Sequence, residues 1–140
     1  VGGGSLKENL EELAKKLEIK ENIIWFGRTD DVISVMKQMD LFVLASNYEG
    51  FGLVLLEAIQ AGIPVIAANN SAIPEVLGVD SEGLFHTGDA IGLCKKMEEF
   101  KLEPKQRQLI KAQHARLSSF LPESMITKMN SVYDPILARS

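Results

Sequence analysis

The spacing of apolar residues divides the chain into alternating helical and extended stretches. Over residues 5–17, Leu6, Leu10, Leu13, Ala14 and Leu17 recur three and four apart, the period of a helix with one apolar face. Ser5 and Glu8 stand there as S-x-x-E, which predicts a capping box at the helix start. Residues 23–26 (Ile-Ile-Trp-Phe), closed by Gly27, predict a short strand. Asp30 and Asp31 predict the cap of a second helix, with Val32, Val35, Met36 and Met39 facing inward. Residues 41–45 are apolar throughout and read as a strand. Residues 53–61 read as a helix stopped by Gly62 and Pro64. A strand at 65–67, a helical turn at 74–77 with proline early in it, and a short edge strand at 83–85 follow. Residues 90–100, 104–118 and 122–137 predict three helices.

Strands that are apolar on both faces and alternate with helices imply a parallel sheet covered on both sides. The expected fold class is therefore α/β, a doubly wound parallel sheet, followed from about residue 90 by a wholly helical segment. The 140 residues suit one domain, 1–140. A net charge of −4, with acids and bases interspersed, gives no surface that nucleic acid or an anionic membrane would attract. No apolar run approaches the roughly 20 residues of a membrane-spanning helix, and no signal peptide is visible. The single cysteine, Cys94, excludes an intrachain disulfide and makes the cytoplasm the expected compartment. The chain opens on Val1 rather than Met, followed by Gly2-Gly3-Gly4-Ser5, which reads either as a flexible linker or as a glycine turn between a strand and a helix.

In a doubly wound sheet, ligands bind beyond the carboxyl ends of the strands. That rule selects three loops, 27–30, 46–52 and 68–73, all polar or glycine-rich. The middle one carries the chemistry. Gly50 and Gly52 flank the start of a helix whose free N–H groups form a ready phosphate site; a tight strand-to-helix turn accounts for the same glycines. Glu57 lies about one turn into a helix that is otherwise apolar, on the side that also carries Leu53, Gln60 and Ala61. Burying an unpaired carboxylate costs several kcal/mol, so it should either face a ligand or form a partly exposed salt bridge. A carboxylate does not bind phosphate, but it accepts two hydrogen bonds from a vicinal diol such as a ribose. Glu49, just ahead of the Gly-Phe-Gly turn, suits sugar hydroxyls or a centre that gains positive charge during reaction.

Residues 49–67, EGFGLVLLEAIQAGIPVIA, resemble the E-x7-E signature of the group 1 (family 4) glycosyltransferases, retaining enzymes of the two-domain B-type fold. Pro74-Glu75-Val76 downstream, and the Gly2-x-Gly4, residues 23–27 and residues 40–46 upstream, also fit. The resemblance runs from about Val1 to Phe100 and more loosely to Tyr133. It implies a Rossmann-like donor-binding domain, the C-terminal half of that fold, truncated at its N-terminal strands. It implies that Glu57 holds the nucleotide ribose and that Glu49, the catalytic candidate, contacts the transferred sugar, orienting and stabilising rather than attacking. Backbone N–H groups at Gly50, Phe51, Gly52, Leu53 and Val54 would hold the diphosphate and sugar, and Arg28 and Thr29 would edge the base. The resemblance implies a nucleoside-diphosphate sugar as donor substrate, no cofactor and no metal, and an acceptor delivered on the same face as the leaving diphosphate.

The family usually carries an arginine and a lysine that neutralise the diphosphate, two early strands, one of them central, and an acceptor-binding half. None of these is found in the 140 residues. The expectation is that this chain by itself is not a competent transferase and binds donor weakly or not at all. Its sheet should either dimerise across the open edge, giving a homodimer, or adopt another strand order. Any peripheral membrane association would run through the acceptor-binding half. The alternative is a non-catalytic nucleotide-binding or association module on the same fold, with a nucleotide-sugar epimerase less well matched by the motif. Elsewhere the expectations are plain. His86 and His114 are surface or helix-contact residues, and Cys94, Trp25 and Phe26 pack in the core. Asp30-Asp31 is a helix cap rather than a metal site. Lys15-Lys16 and Lys95-Lys96 lie on solvated helix faces. The stretch Asn69-Asn70-Ser71 either touches the sugar or is an idle loop.

Overall fold

Four consecutive small and β-branched residues, Val65–Ala68, form the only strand whose every residue is buried among those described. A computed structural model describes the chain from Val1 to Leu137. It divides into two compact units, Val1–Val32 and the remainder from Ile33.

The second unit is built on a parallel sheet of three strands in sequential order: β1 (Phe42–Leu44), β2 (Val65–Ala68) and β3 (Leu84–Phe85). Val43 stands opposite Ile66, and Ala67 opposite Leu84. Burial falls away from the centre. β2 is fully buried, β1 half-buried, and β3 lies at the other edge, as its two-residue length suits.

Around the sheet run α3 (Leu53–Gln60), α4 (Ile73–Leu77), α5 (Ala90–Glu99), α6 (Glu103–Arg116), a 3-10 turn at Leu117–Phe120, and α7 (Pro122–Leu137). Side chains alternate along β2. Ile66 and Ala68 meet Phe85, Leu41, Val43 and Leu93 of α5 on one face. α3 and α6 also pack on β2, which leaves Val65 and Ala67 to the other face. Helices on both faces of a parallel sheet are the doubly wound arrangement that the sequence pattern implies. Burying each large aliphatic side chain here contributes roughly 1.5–3 kcal/mol, and Leu55, Ile59, Ile66, Ile73 and Val76 are all buried.

Local signals explain most boundaries. α3 ends as expected at Gly62, whose φ is +80°; its N–H donates to the Ile59 carbonyl, and the N–H of Ile63 donates to that of Ala58. These are the two bonds of a Schellman stop. α4 carries its proline in the first turn. Asp89 starts α5 by accepting a hydrogen bond from the Gly92 N–H at 2.8 Å. Arg116, at the end of α6, donates to the carbonyls of Val76 and Glu75 at 2.8 and 2.7 Å, closing the end of α4.

The first unit holds α1 (Lys7–Lys16) and a 3-10 turn at Lys20–Asn22; α2 (Val32–Met36) begins at its last residue. Three expectations fail here. Residues 23–26 form no strand. Strand geometry persists through ladder hydrogen bonds, and among the described residues the bonds of this stretch are local ones and a bond from the Gly2 N–H to the Gly27 carbonyl. Trp25 and Phe26 accordingly are not core residues but are 37% and 53% exposed, and Ile24 is 86% exposed. The Ser5–Glu8 capping box does not form: Leu6 occupies the N-cap and no side chain caps α1. Ala14 is buried, whereas Leu6, Leu10, Leu13 and Leu17 are exposed. α2 is shorter than its pattern suggests, and Met36 is its buried residue. Cys94 is also exposed, against expectation. The phase of α5 is set by Leu93 and Phe100, which face inward seven residues apart and turn Cys94 outward.

Candidate functional site

β1 ends at Leu44 and α3 begins at Leu53, so residues 45–52 cross the carboxyl end of the sheet. Two positions fix the far end of this loop. Gly52, the N-cap of α3, has φ +75° and ψ +47°, and a Cβ there would lie 3.0 Å from Cδ1 of Leu55. The left-handed turn and the close approach both require glycine. Phe51 sets its ring edge-on to Phe120, with centroids 5.9 Å apart and planes at 77°. Gly50, by contrast, faces open space.

Five successive N–H groups, those of Gly50, Phe51, Gly52, Leu53 and Val54, donate to no group among the described residues. The next one, Leu55 N–H, returns to the Gly52 carbonyl at 2.9 Å. A helix leaves its first N–H groups unsatisfied and carries positive potential at that end. Here the unsatisfied run extends back through the loop to Gly50.

Glu49 and Glu57 bracket that run. Both are half-buried. Neither carboxylate has a hydrogen-bond or ion-pair partner among the described residues, so the salt bridge weighed for Glu57 is not formed. α3 is less enclosed than its composition suggests. Leu55, Ala58 and Ile59 are buried, whereas Leu53 is 66% exposed and Gln60 is exposed. Glu57 therefore lies on the open side of the helix, shared with Leu53, Gln60 and the half-buried Ala61, and this is why an apolar helix tolerates it.

Arg28 and Thr29 belong to the Val1–Val32 unit. Arg28 is exposed, and a Cβ on Gly3 would meet its side chain at 3.8 Å. Thr29 is half-buried, and its hydroxyl oxygen accepts a hydrogen bond from the Asp31 N–H at 3.1 Å. His86 and His114 are exposed, as expected.

Sequence reasoning gave no definite role to Asn70 and none to Thr87 or Phe120. Asn70 donates to the Ser46 carbonyl at 2.8 Å and to the Thr87 hydroxyl at 3.0 Å. The polar composition of loop 68–73 was the available signal for Asn70. Nothing in the linear pattern singles out Thr87 or Phe120, because each acts across a long sequence separation. Among the described residues no helix is long and apolar enough to cross a membrane.

Comparison with known proteins places the chain in a family and a fold. The model of the glycosyl transferases group 1 family matches residues 1–116. The chain is 31% identical over 140 residues to N-acetyl-alpha-D-glucosaminyl L-malate synthase of Bacillus anthracis, covering 98% of this chain and 37% of that one. Sucrose-phosphate synthase from Thermosynechococcus elongatus superposes with a TM-score of 0.77 at 25% identity, over 98% of this chain and 36% of that one. The Anabaena protein HepE, solved in complex with UDP and glucose, superposes with a TM-score of 0.72 at 21% identity, over 94% of this chain and 36% of that one. The chain thus spans little more than a third of the length of these proteins.

Proposed function

Because the chain belongs to the group 1 glycosyltransferases, with their B-type fold, we propose that it is the donor-binding part of an enzyme that transfers a sugar from a nucleoside diphosphate, with retention, to a glycan, lipid or other acceptor. The observation that carries this reading is the run of five N–H groups at residues 50–54, set between two carboxylates, all without a partner among the described residues.

Each part suits one portion of the donor. The fixed N–H groups take the diphosphate oxygens and stabilise the charge that grows on them as the sugar–phosphate bond breaks, a preorganised donor set that needs no rearrangement during reaction. Glu57, one helical turn beyond, accepts from the two ribose hydroxyls. Glu49, on the loop side, accepts from hydroxyls of the transferred sugar and favours the positive charge that builds at its anomeric carbon. On the retaining reading, the leaving diphosphate takes the acceptor proton on the face it departs from, and no protein nucleophile is assigned. No metal is assigned, since the helix start supplies the positive potential. The exposed, unpaired Cys94 suits a reducing compartment such as the cytoplasm. The UDP and glucose of HepE support a uridine diphosphate sugar as the first donor to try.

Saturation-transfer NMR of the chain with UDP, which detects weak binding, tests the reading. UDP should show transfer to its ribose protons. Glu57→Ala should weaken binding about ten- to a hundredfold, the equivalent of losing one charge-assisted hydrogen bond of roughly 1.5–3 kcal/mol. Affinity unchanged by Glu57→Ala removes the ribose assignment.

A further inference from the structure

The three strands run parallel and side by side, so the loops at their carboxyl ends are neighbours. Asn70 leaves from the middle strand and reaches to both sides. One amide hydrogen goes to the Ser46 carbonyl in the loop after β1, at 2.8 Å, and the other to the Thr87 hydroxyl in the loop after β3, at 3.0 Å. The Thr87 hydroxyl passes its own proton to the Asn69 carbonyl at 3.4 Å. The orientation of the amide follows from chemistry: a carbonyl only accepts, so the nitrogen must face Ser46. The amide oxygen is then buried without a partner among the described residues. That arrangement costs free energy, and it persists because both amide protons are in use.

Ser46 stands two residues beyond β1 and three before Glu49. At its other end, the same loop is held by the left-handed Gly52 and by the ring of Phe51 on Phe120. Asn70 is thus the side-chain anchor at the strand end of the loop, and Gly52 with Phe51 is the anchor at the helix end.

We infer that Asn70 is a positioning residue for the donor loop, fixing the Ser46 end through its amide hydrogen bond to the Ser46 carbonyl so that Glu49 and the N–H groups of residues 50–54 keep their aim. The inference rests on the donor-site reading given above. Asparagine is needed for this work: aspartate has the same shape but no protons to give, and alanine leaves the Ser46 carbonyl free.

The test is isotope-edited NMR of the whole chain, titrated with UDP, for the parent and for Asn70→Ala, Asn70→Asp and Thr87→Val. In Asn70→Ala and Asn70→Asp, the Ser46 carbonyl carbon and the amides of residues 46–54 should shift while those of β2 stay in place, and UDP affinity should fall about tenfold. Thr87→Val keeps the bond to Ser46, so its loop resonances and its affinity, within about twofold, should match the parent. Loop resonances that coincide with the parent in both Asn70 variants overturn the anchoring. Shifted loop resonances with undiminished UDP binding overturn the positioning role alone. A parent chain that binds none of UDP, GDP and ADP overturns the donor reading and the positioning role together.

Discussion

At the scale of single residues, the two glycines of the middle loop do different work. The sequence presents them as a pair, but only Gly52 is held in a left-handed conformation, with its missing Cβ 3.0 Å from Leu55. Gly50 has no positive φ and open space beside it. Gly52→Ala should therefore destabilise the chain by about 1–2 kcal/mol, the cost of a left-handed L-residue. Gly50→Ala should change stability by no more than about 0.5 kcal/mol. Urea denaturation of the two variants checks this, and equal losses would show that φ is not what distinguishes them. The residues of the candidate site were legible because their chemistry is local: a carboxylate one turn into an apolar helix and glycines at its start. Cys94 was not legible. Its hydrophobic character is compatible with burial, but the helical phase is set by Leu93 and Phe100, and only packing against the sheet decides between the two faces.

At the scale of elements, helices read from the sequence more faithfully than strands, because a helix satisfies its own backbone while a strand depends on its neighbour. The stops and starts of α3, α4 and α5 follow from Gly62, Pro74 and the stretch around Asp89. Residues 23–26 have the composition of a strand and remain outside any ladder. The same dependence explains Gln113, the one buried polar residue among those described, 1% exposed. β3 begins opposite Ala67, two residues too late to pair with Val65. The Gln113 amide fills that gap from α6, accepting from the Val65 N–H at 3.1 Å and donating to the Val65 carbonyl at 2.7 Å. It acts as one residue's length of missing strand. Gly83 makes room for it, since a Cβ there would lie 2.4 Å from the Val65 carbonyl oxygen and 3.0 Å from Nε2 of Gln113. Gln113→Leu keeps the volume and strands two buried backbone groups. At about 1–3 kcal/mol for each, the loss should be roughly 2–6 kcal/mol in equilibrium denaturation. A loss under about 1 kcal/mol would mean that the pair is incidental to the sheet.

At the scale of the whole molecule, the two units differ in how much they bury. From Ile33 onward the chain encloses a core that runs from Leu55 and Ile59 through β2 to Phe100 and Leu109. Within Val1–Val32, Ala14 is the buried hydrophobic residue, and four leucines, Ile24 and Phe26 are left exposed. The sequence signals both regions as equally structured, since it shows periodicity and not the surface that receives it. Local stability follows buried apolar contacts, so the first unit should open at lower denaturant than the second. The sole tryptophan makes this measurable, because Trp25 lies in the first unit. At 37% exposure, its emission should be quenched by acrylamide even in the native chain. In a urea titration its fluorescence should change before the far-ultraviolet circular dichroism, to which the helices and strands of the second unit contribute most. Two coincident transitions would show one cooperative unit instead, and would require the first unit to draw its stability from outside its own residues.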